Sequence, residues 1–281
     1  MTAVTAPVRR ARSRGFIVDK ILLYAAAVLL ALWTLVPIYL IALAAFSERG
    51  AISDYPKQLL PTRFSTDTMS FFVNSTGVLR SVQNSIIVAL GTIVVALLIG
   101  APAGYALARF RFPGRDSFQL AVLISKMFPI AILSIPLAVT FIGLGLYDTL
   151  QGVIIIHSAM VVPFVVIVTA GVFQGVSREL EEAAQTLGTS RIGAFVRVAL
   201  PLALPGLAAA AIFAFVTSWN EVFAATILTV RNTTLPAQVL ASLNSSPLYF
   251  RFAGGFFLII PSVFFIFFMR KYLFNLWGPG R

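Results

Sequence analysis

Six long apolar stretches, separated by shorter polar connections, set the pattern of this chain: residues 21–46, 82–108, 118–144, 152–173, 202–228 and 254–274. Each holds about the 20 residues that an α-helix needs to cross a ~30 Å hydrocarbon core. The pattern predicts an all-α, polytopic membrane protein with six transmembrane helices. Residues 1–20 read as a basic tail and 21–281 as a single membrane domain, because no repeat of 20–50 residues, low-complexity tract or linker divides it. Ala42-Leu43-Ala44 resembles a leader-cleavage site, but the apolar run before it is longer than a typical leader core, so the first stretch reads as a span.

The longest polar interruption between neighbouring spans on one side, residues 174–206, has a helical pattern of its own. Ser177 can cap a helix whose first turns carry Glu179, Glu181 and Glu182, where carboxylates suit the positive helix end, and Gly188 can stop it. Leu180, Ala183, Ala184 and Leu187 fall on one face by i, i+3, i+4, i+7 spacing, which leaves Glu181, Glu182 and Gln185 for water or a partner. Thr189 or Ser190 can cap a second helix, which Pro201 and Pro205 would kink or end. The result is a helix-turn-helix elbow between spans four and five.

Composition agrees with membrane residence: 281 residues, 59% hydrophobic and only 11% charged. That is too apolar for one soluble core under a polar surface. There is no cysteine, which excludes disulfides, thiolate metal sites and a cysteine nucleophile. The net charge of +11 changes meaning once it is read by position. Fourteen Lys and Arg fall on one side of the spans (Arg9, Arg10, Arg12, Arg14 and Lys20 in the tail, Arg109 to Arg115, Arg178 to Arg197, and the C-terminal three) against six on the other. The positive-inside rule then places both termini and the elbow in the cytoplasm. Much of the charge is therefore topology and not a nucleic-acid footprint, although a basic tail also suits anionic lipid. On the other side, residues 47–81, with Pro56 and Pro61, read as a structured cap.

The spacing in the elbow is more specific than its amphipathicity. Glu182-Ala183-Ala184, then Gly188, then Val198 and Leu200-Pro201, resembles the signature loop of permease subunits of binding-protein-dependent ABC importers. Tyr105 to Arg115, Met127-Phe128-Pro129 and Trp219-Asn220-Glu221 resemble, in order, stations of the sugar-importer permeases of the MalG type. Leu187 departs from the Asp common in the maltose-type members, and the end Gly278-Pro279-Gly280-Arg281 differs from theirs. The resemblance implies a prokaryotic inner-membrane subunit that moves a sugar or oligosaccharide inward. It also implies ATPase-coupling roles for Glu182, Ala183, Ala184, Gly188, Leu200 and Pro201. Its partners would be a second permease (MalF type), a cytoplasmic ATPase dimer (MalK type) holding ATP and Mg, and an extracytoplasmic sugar-binding protein. The chain has no Gly-Lys dipeptide and hence no phosphate loop of its own. No cofactor-binding, metal or catalytic residues are expected in it.

Ionisable groups inside spans cost about 2.5–3.5 kcal/mol at mid-helix and are functional candidates for that reason. Glu221, beside Trp219 and Asn220 near the end of the fifth stretch, suits a carbohydrate path: an indole to stack, an amide and a carboxylate to bond hydroxyls. The competing reading makes Trp219 packing and Glu221 a helix-to-helix bond. Lys126 in the third stretch can snorkel or face the path, and Pro129 and Pro136 are expected to bend that helix. His157, the sole histidine, reads as a packing or hydrogen-bonding residue. Gly100/Gly104 and Gly171/Gly175 read as close helix-packing pairs. Two other function classes stay open: an ion-coupled secondary transporter, which needs coupling carboxylates at midplane where only Glu221 qualifies, and an intramembrane enzyme, for which no paired constellation exists.

Overall fold

The computed structural model describes residues 14–52, 54–56, 59–60 and 63–276. Arg9, Arg10, Arg12, Lys57, Pro61 and Gly278 to Arg281 lie outside the described residues. Among the described residues twelve α-helices follow one another, and the extended structure is a single isolated bridge, Ser47 to Phe64. The long helices are α1 (Arg14–Ala45), then, after the short α2 (Asp67–Asn74), α3 (Val78–Arg109). Next come α4 (Arg115–Ile124) and α5 (Ile130–Gly143), then α6 (Leu150–Gly175). The elbow holds α7 (Arg178–Thr186) and α8 (Arg191–Ala194), which runs through a π-helical turn (Phe195–Ala199) into α9 (Leu200–Trp219). Short α10 (Phe223–Leu228) and α11 (Leu235–Ser242) lead to α12 (Leu248–Leu276).

Among the described residues five helices are long and apolar enough to cross a membrane, and a bent pair makes a sixth candidate. That pair is the third stretch: Arg115–Met127 and Ile130–Gly143 meet at 89°. The break falls at Phe128-Pro129. Pro129 has no N–H to give the preceding turn, and its ring drives Phe128 to extended geometry (ψ 114°). Pro136, also expected to bend the span, sits inside α5. The fifth span likewise differs from its expected bounds: it runs Arg191–Trp219 and ends at Asn220, so Glu221 lies beyond the helix. Pro201 neither ends nor sharply kinks it. The π turn just before Pro201 shifts the register, with the Leu200 N–H bonding the Phe195 carbonyl five residues back, and accommodates the missing donor.

The core is built by α3, α6 and α9, with α12 against α9 and α1 against α12. Small residues set the closest approach. A Cβ on Gly100 would stand 2.6 Å from Val165 Cγ1, and one on Gly104 would collide with Thr169, whose hydroxyl bonds the Gly100 carbonyl at 2.8 Å. The Gly100/Gly104 pair is thus a packing seam. Gly171 and Gly175 are not: both face open space, and it is Gly206 on α9 that receives α6, at Val172. Within the cap, α2 packs inward through the fully buried Phe72, against Phe250, Val239 and Ala253. By contrast α1 is exposed along its described length up to Leu40. A helix apolar over most of its length, and met by its own chain mainly at the 41–45 end and along α12, leaves a face that belongs against lipid or another subunit.

Candidate functional site

At one end of the bundle the elbow is closed by backbone geometry that the sequence dictates. The carbonyls at the end of α7 are satisfied by a 6→1 bond from Thr189 N to Ala184 O (3.0 Å) and a 5→2 bond from Gly188 N to Gln185 O (2.9 Å). That motif needs a left-handed residue, and Gly188 supplies it at φ +90°. Ser177 precedes α7 without a side-chain cap bond, whereas Ser190 caps α8 by accepting from Gly193 N at 3.1 Å.

The expectation for α7 fails at Glu181 and is met at Glu182. Glu181 points inward and is buried, while Leu180 and Leu187 are 50% and 88% exposed, with Ala183 exposed between them and Ile192 of α8 continuing the patch at 77%. The reason is what lies underneath. The end of α3 presents Tyr105 and Arg109 here, so this part of the interior is polar. The Arg109 guanidinium donates to Glu181 Oε1 through Nε (2.8 Å) and Nη2 (2.6 Å), and Nη2 also donates to the Val176 carbonyl (2.8 Å). Tyr105 Oη donates to Glu181 Oε2 at 2.6 Å. Both carboxylate oxygens are engaged and both charged partners are desolvated, which makes the pair an interdependent strut between α3 and α7. Glu182, one residue on, is exposed and makes only an open ion pair with Arg178 at 3.5 Å. Of the residues assigned to coupling, Glu182, Ala183, Gly188 and Pro201 are exposed, while Ala184 and Leu200 are half-buried.

The second group of candidates is separated by the structure and not gathered. Trp219 is fully buried, stacked on Phe215, with its indole N–H donated to the Leu258 carbonyl at 2.9 Å, so neither ring face is open. Glu221 is also buried. Its carboxylate accepts from the N–H groups of Ala224 (3.0 Å) and Ala225 (3.2 Å) at the start of α10 and lies 3.1 Å from His157 Nε2. His157 Nδ1 contacts Ser218 Oγ at 2.8 Å, and Ser218 reaches Thr92. The chain break after α9 is thus held by a buried polar chain from α3 through α6 and α9 to α10. Asn220 is exposed, its amide bonded only to the Val216 carbonyl of its own helix. Lys126 is exposed at the α4–α5 break, its ammonium 5.7 and 5.5 Å from the ring centres of Phe164 and Phe213.

Residues 96–275, which include the elbow, the strut and the broken end of α9, match the family described as binding-protein-dependent transport system inner membrane component. The chain belongs to this family. Its relatives include the diacetylchitobiose uptake system permease protein NgcG of Streptomyces coelicolor, 31% identical over 225 residues covering 79% of this chain and 74% of the relative. The trehalose transport system permease protein SugB of Mycobacterium tuberculosis is 30% identical over 245 residues, covering 85% and 89%. Among solved structures, a chain of a bacterial ABC transporter involved in the import of the acidic polysaccharide alginate superposes with TM-score 0.75 over 94% of this chain and 99% of that one. Its identity of 24% makes this a likeness of fold. As a member of the family, the chain is a multi-pass membrane transport subunit and not an enzyme.

Two features of this family member escaped the sequence reading. Tyr105 and Arg109 were visible only as part of a motif, although an Arg at the end of a span followed by an acidic elbow is the pattern that a strut leaves. The other is Asp148, between α5 and α6. It adopts φ 56°, and its Oδ1 accepts from the backbone N–H groups of Val230 (2.8 Å), Arg231 (2.9 Å) and Asn232 (3.0 Å). Desolvation pushes its pKa up, but the three N–H donors and nearby Arg231 outweigh that and hold the carboxyl below the usual carboxylate range. Arg80 and Asn84 of α3 bind the same segment, at Asn232 Oδ1 and the Thr233 carbonyl. Two connections and the start of α3 are knitted together in this way at the end opposite the elbow.

Proposed function

We propose that this chain is one permease of a heterodimeric, ATP-driven ABC importer, with the elbow as its coupling surface. The observation that carries the reading is the outward apolar surface of the elbow. An apolar patch of Leu180, Ala183, Leu187 and Ile192 faces outward while a buried ion pair fixes the helix to α3. Apolar side chains that a protein holds outward on a rigid element mark a partner. The partner is a cytoplasmic ATPase dimer of the MalK type, which holds ATP and Mg; a second permease of the MalF type and an extracytoplasmic binding protein complete the assembly. The positive-inside distribution supports a cytoplasmic elbow and cytoplasmic termini in the inner membrane. Relatives named for diacetylchitobiose and trehalose support a sugar or oligosaccharide as cargo.

Lys126 and Asn220 are the members of the assigned cargo path that stand open in the subunit; Trp219 and Glu221 would reach cargo only if the end of α9 repacked. An ion-coupled mechanism fits the geometry poorly, because Glu221 is committed to two backbone donors and His157.

Affinity purification in mild detergent tests the reading. Recovery of one other multispan subunit and an ATPase is expected; an isolated homo-oligomer that transports unaided would refute it. Replacing Gly188 with valine forces a branched residue into φ +90°, at a cost of about 1–2 kcal/mol. It is expected to abolish uptake and leave insertion intact, whereas normal uptake would count against the elbow's role.

A further inference from the structure

Lys126 is the one Lys or Arg that falls inside an apolar stretch and away from both polar faces. Its ammonium rests over Phe164 of α6, which lies about 21 Å along the helix from Leu150 and about 17 Å from Gly175 at 1.5 Å per residue. The charge is therefore near mid-bilayer depth. Among the described residues no carboxylate pairs with it, and its partners are the faces of Phe164 and Phe213. Those two rings stack on each other at 3.6 Å between centroids, joining α6 to α9. A lone ammonium is costly at this depth, and a cation–π contact at an exposed site offsets only a small part of that cost. Lipid is a poor neighbour for such a group; water is a good one.

The sequence of α9 extends the same surface. Phe213, Thr217 and Asn220 follow i, i+4, i+7 spacing, so they share one face, which is only partly covered: Asn220 is exposed and the other two are half-buried. Buried Ala214, Phe215, Ser218 and Trp219 occupy the opposite side. A stripe of amide, hydroxyl, aromatic pair and ammonium thus runs from the open end of α9 to mid-membrane.

We infer that this stripe is a water-filled, anion-attracting cargo track, and that the cargo it suits is a carbohydrate bearing carboxylate or other anionic oxygens. The inference rests on the permease reading and adds the chemical class. The ammonium sits on the ring pair when the track is empty and turns to the cargo's oxygens as they pass, while the Phe164–Phe213 surface offers an apolar floor to sugar C–H faces. Glu221, the nearest carboxylate in sequence to the track, is turned away into its bonds with His157, Ala224 and Ala225, so it does not oppose an anion there.

The absence of native cysteine makes the test direct. Thr217→Cys and Asn220→Cys are introduced singly into the complete complex in membrane vesicles, with Leu98→Cys on the exposed side of α3 as lipid-facing control. Each is treated with the anionic sulfonatoethyl and the cationic trimethylammonium-ethyl methanethiosulfonates. Both track cysteines are expected to react much faster than the Leu98 one. The anionic-to-cationic rate ratio at Thr217→Cys, one helical turn from Phe213, is expected to fall roughly threefold or more when Lys126→Met is added, because one nearby positive charge is removed from a wet site. Lys126→Arg, which keeps the charge, should preserve the ratio. Track cysteines as inert as the Leu98 one, or a ratio indifferent to Lys126→Met, would overturn the inference. Because the complex is checked for bound ATPase in the same preparation, loss of the ATPase would instead count against the permease reading itself.

Discussion

Two buried carboxylates, Glu181 under the elbow and Glu221 past the end of α9, hold equivalent posts at opposite ends of the bundle. Each is desolvated, each has both carboxylate oxygens engaged, and each fixes a place where the chain changes direction. Each also stands beside an exposed polar neighbour, Glu182 in one case and Asn220 in the other. They differ in what counters the charge. Glu181 meets a guanidinium that cannot give up its proton, whereas Glu221 meets an imidazole and two backbone donors. The first site can act only as a fastener; the second holds its carboxylate with groups that a rearrangement of the α9–α10 break could release. In both places the burial of one acid is what presents its neighbour.

Breaking the fasteners separately should separate these roles. Glu181→Ala leaves Arg109 buried without a counterion, a loss on the order of 3–5 kcal/mol. Melting of the purified complex is expected at a clearly lower temperature, with ATPase activity no longer dependent on substrate. Glu182→Ala removes an exposed pair and should cost about 0–1 kcal/mol, with any defect confined to ATPase affinity. Equal destabilisation by the two would erase the distinction.

At the other end, Glu221→Ala deprives two buried N–H groups and His157 of an acceptor, about 1–3 kcal/mol. It should increase hydrogen exchange across α10, while Asn220→Ala should change transport without changing exchange. Glu221→Gln, which retains an acceptor oxygen, is expected to recover part of the protection.

The smallest effect concerns Asp148. Its carboxyl pKa is lowered in the folded protein, so its contribution is present above the unfolded value of about 3.9 and is lost as pH falls through the lower folded value. Exchange of the Val230, Arg231 and Asn232 amides should therefore be pH-independent in its protection at neutral pH and rise only in strong acid. Asp148→Asn should weaken that protection already at pH 7.

Much of this was legible from residues alone. The spans follow from apolar runs; Gly188 is readable as a helix stop, and Thr189 or Ser190 as a cap, because such groups act on adjacent backbone, and the structure selects Ser190. The Pro129 break was foreseeable for the same local reason. What could not be read is which side of a helix the rest of the protein makes polar. Periodicity on α7 marks an apolar face, and in a soluble protein that face is core; here Tyr105 and Arg109 arrive from more than 70 residues away and reverse it. The same limit applies to Trp219 and Asn220: adjacent in sequence, they lie on opposite sides of the helix end, one against Leu258 and one in the open. The π turn that lets Pro201 sit within a continuous span has no residue signature at all.

The central claim is that the outward apolar face of the elbow is where the ATPase docks. The most direct measurement is the amount of ATPase that co-purifies in mild detergent with the native chain and with a Leu187→Glu, Ile192→Glu double variant, both residues being exposed and bonded to nothing in the core. The expected result is stoichiometric ATPase with the native subunit and its loss from the variant, while the second permease remains bound. Full retention of the ATPase by a correctly inserted variant would contradict the account.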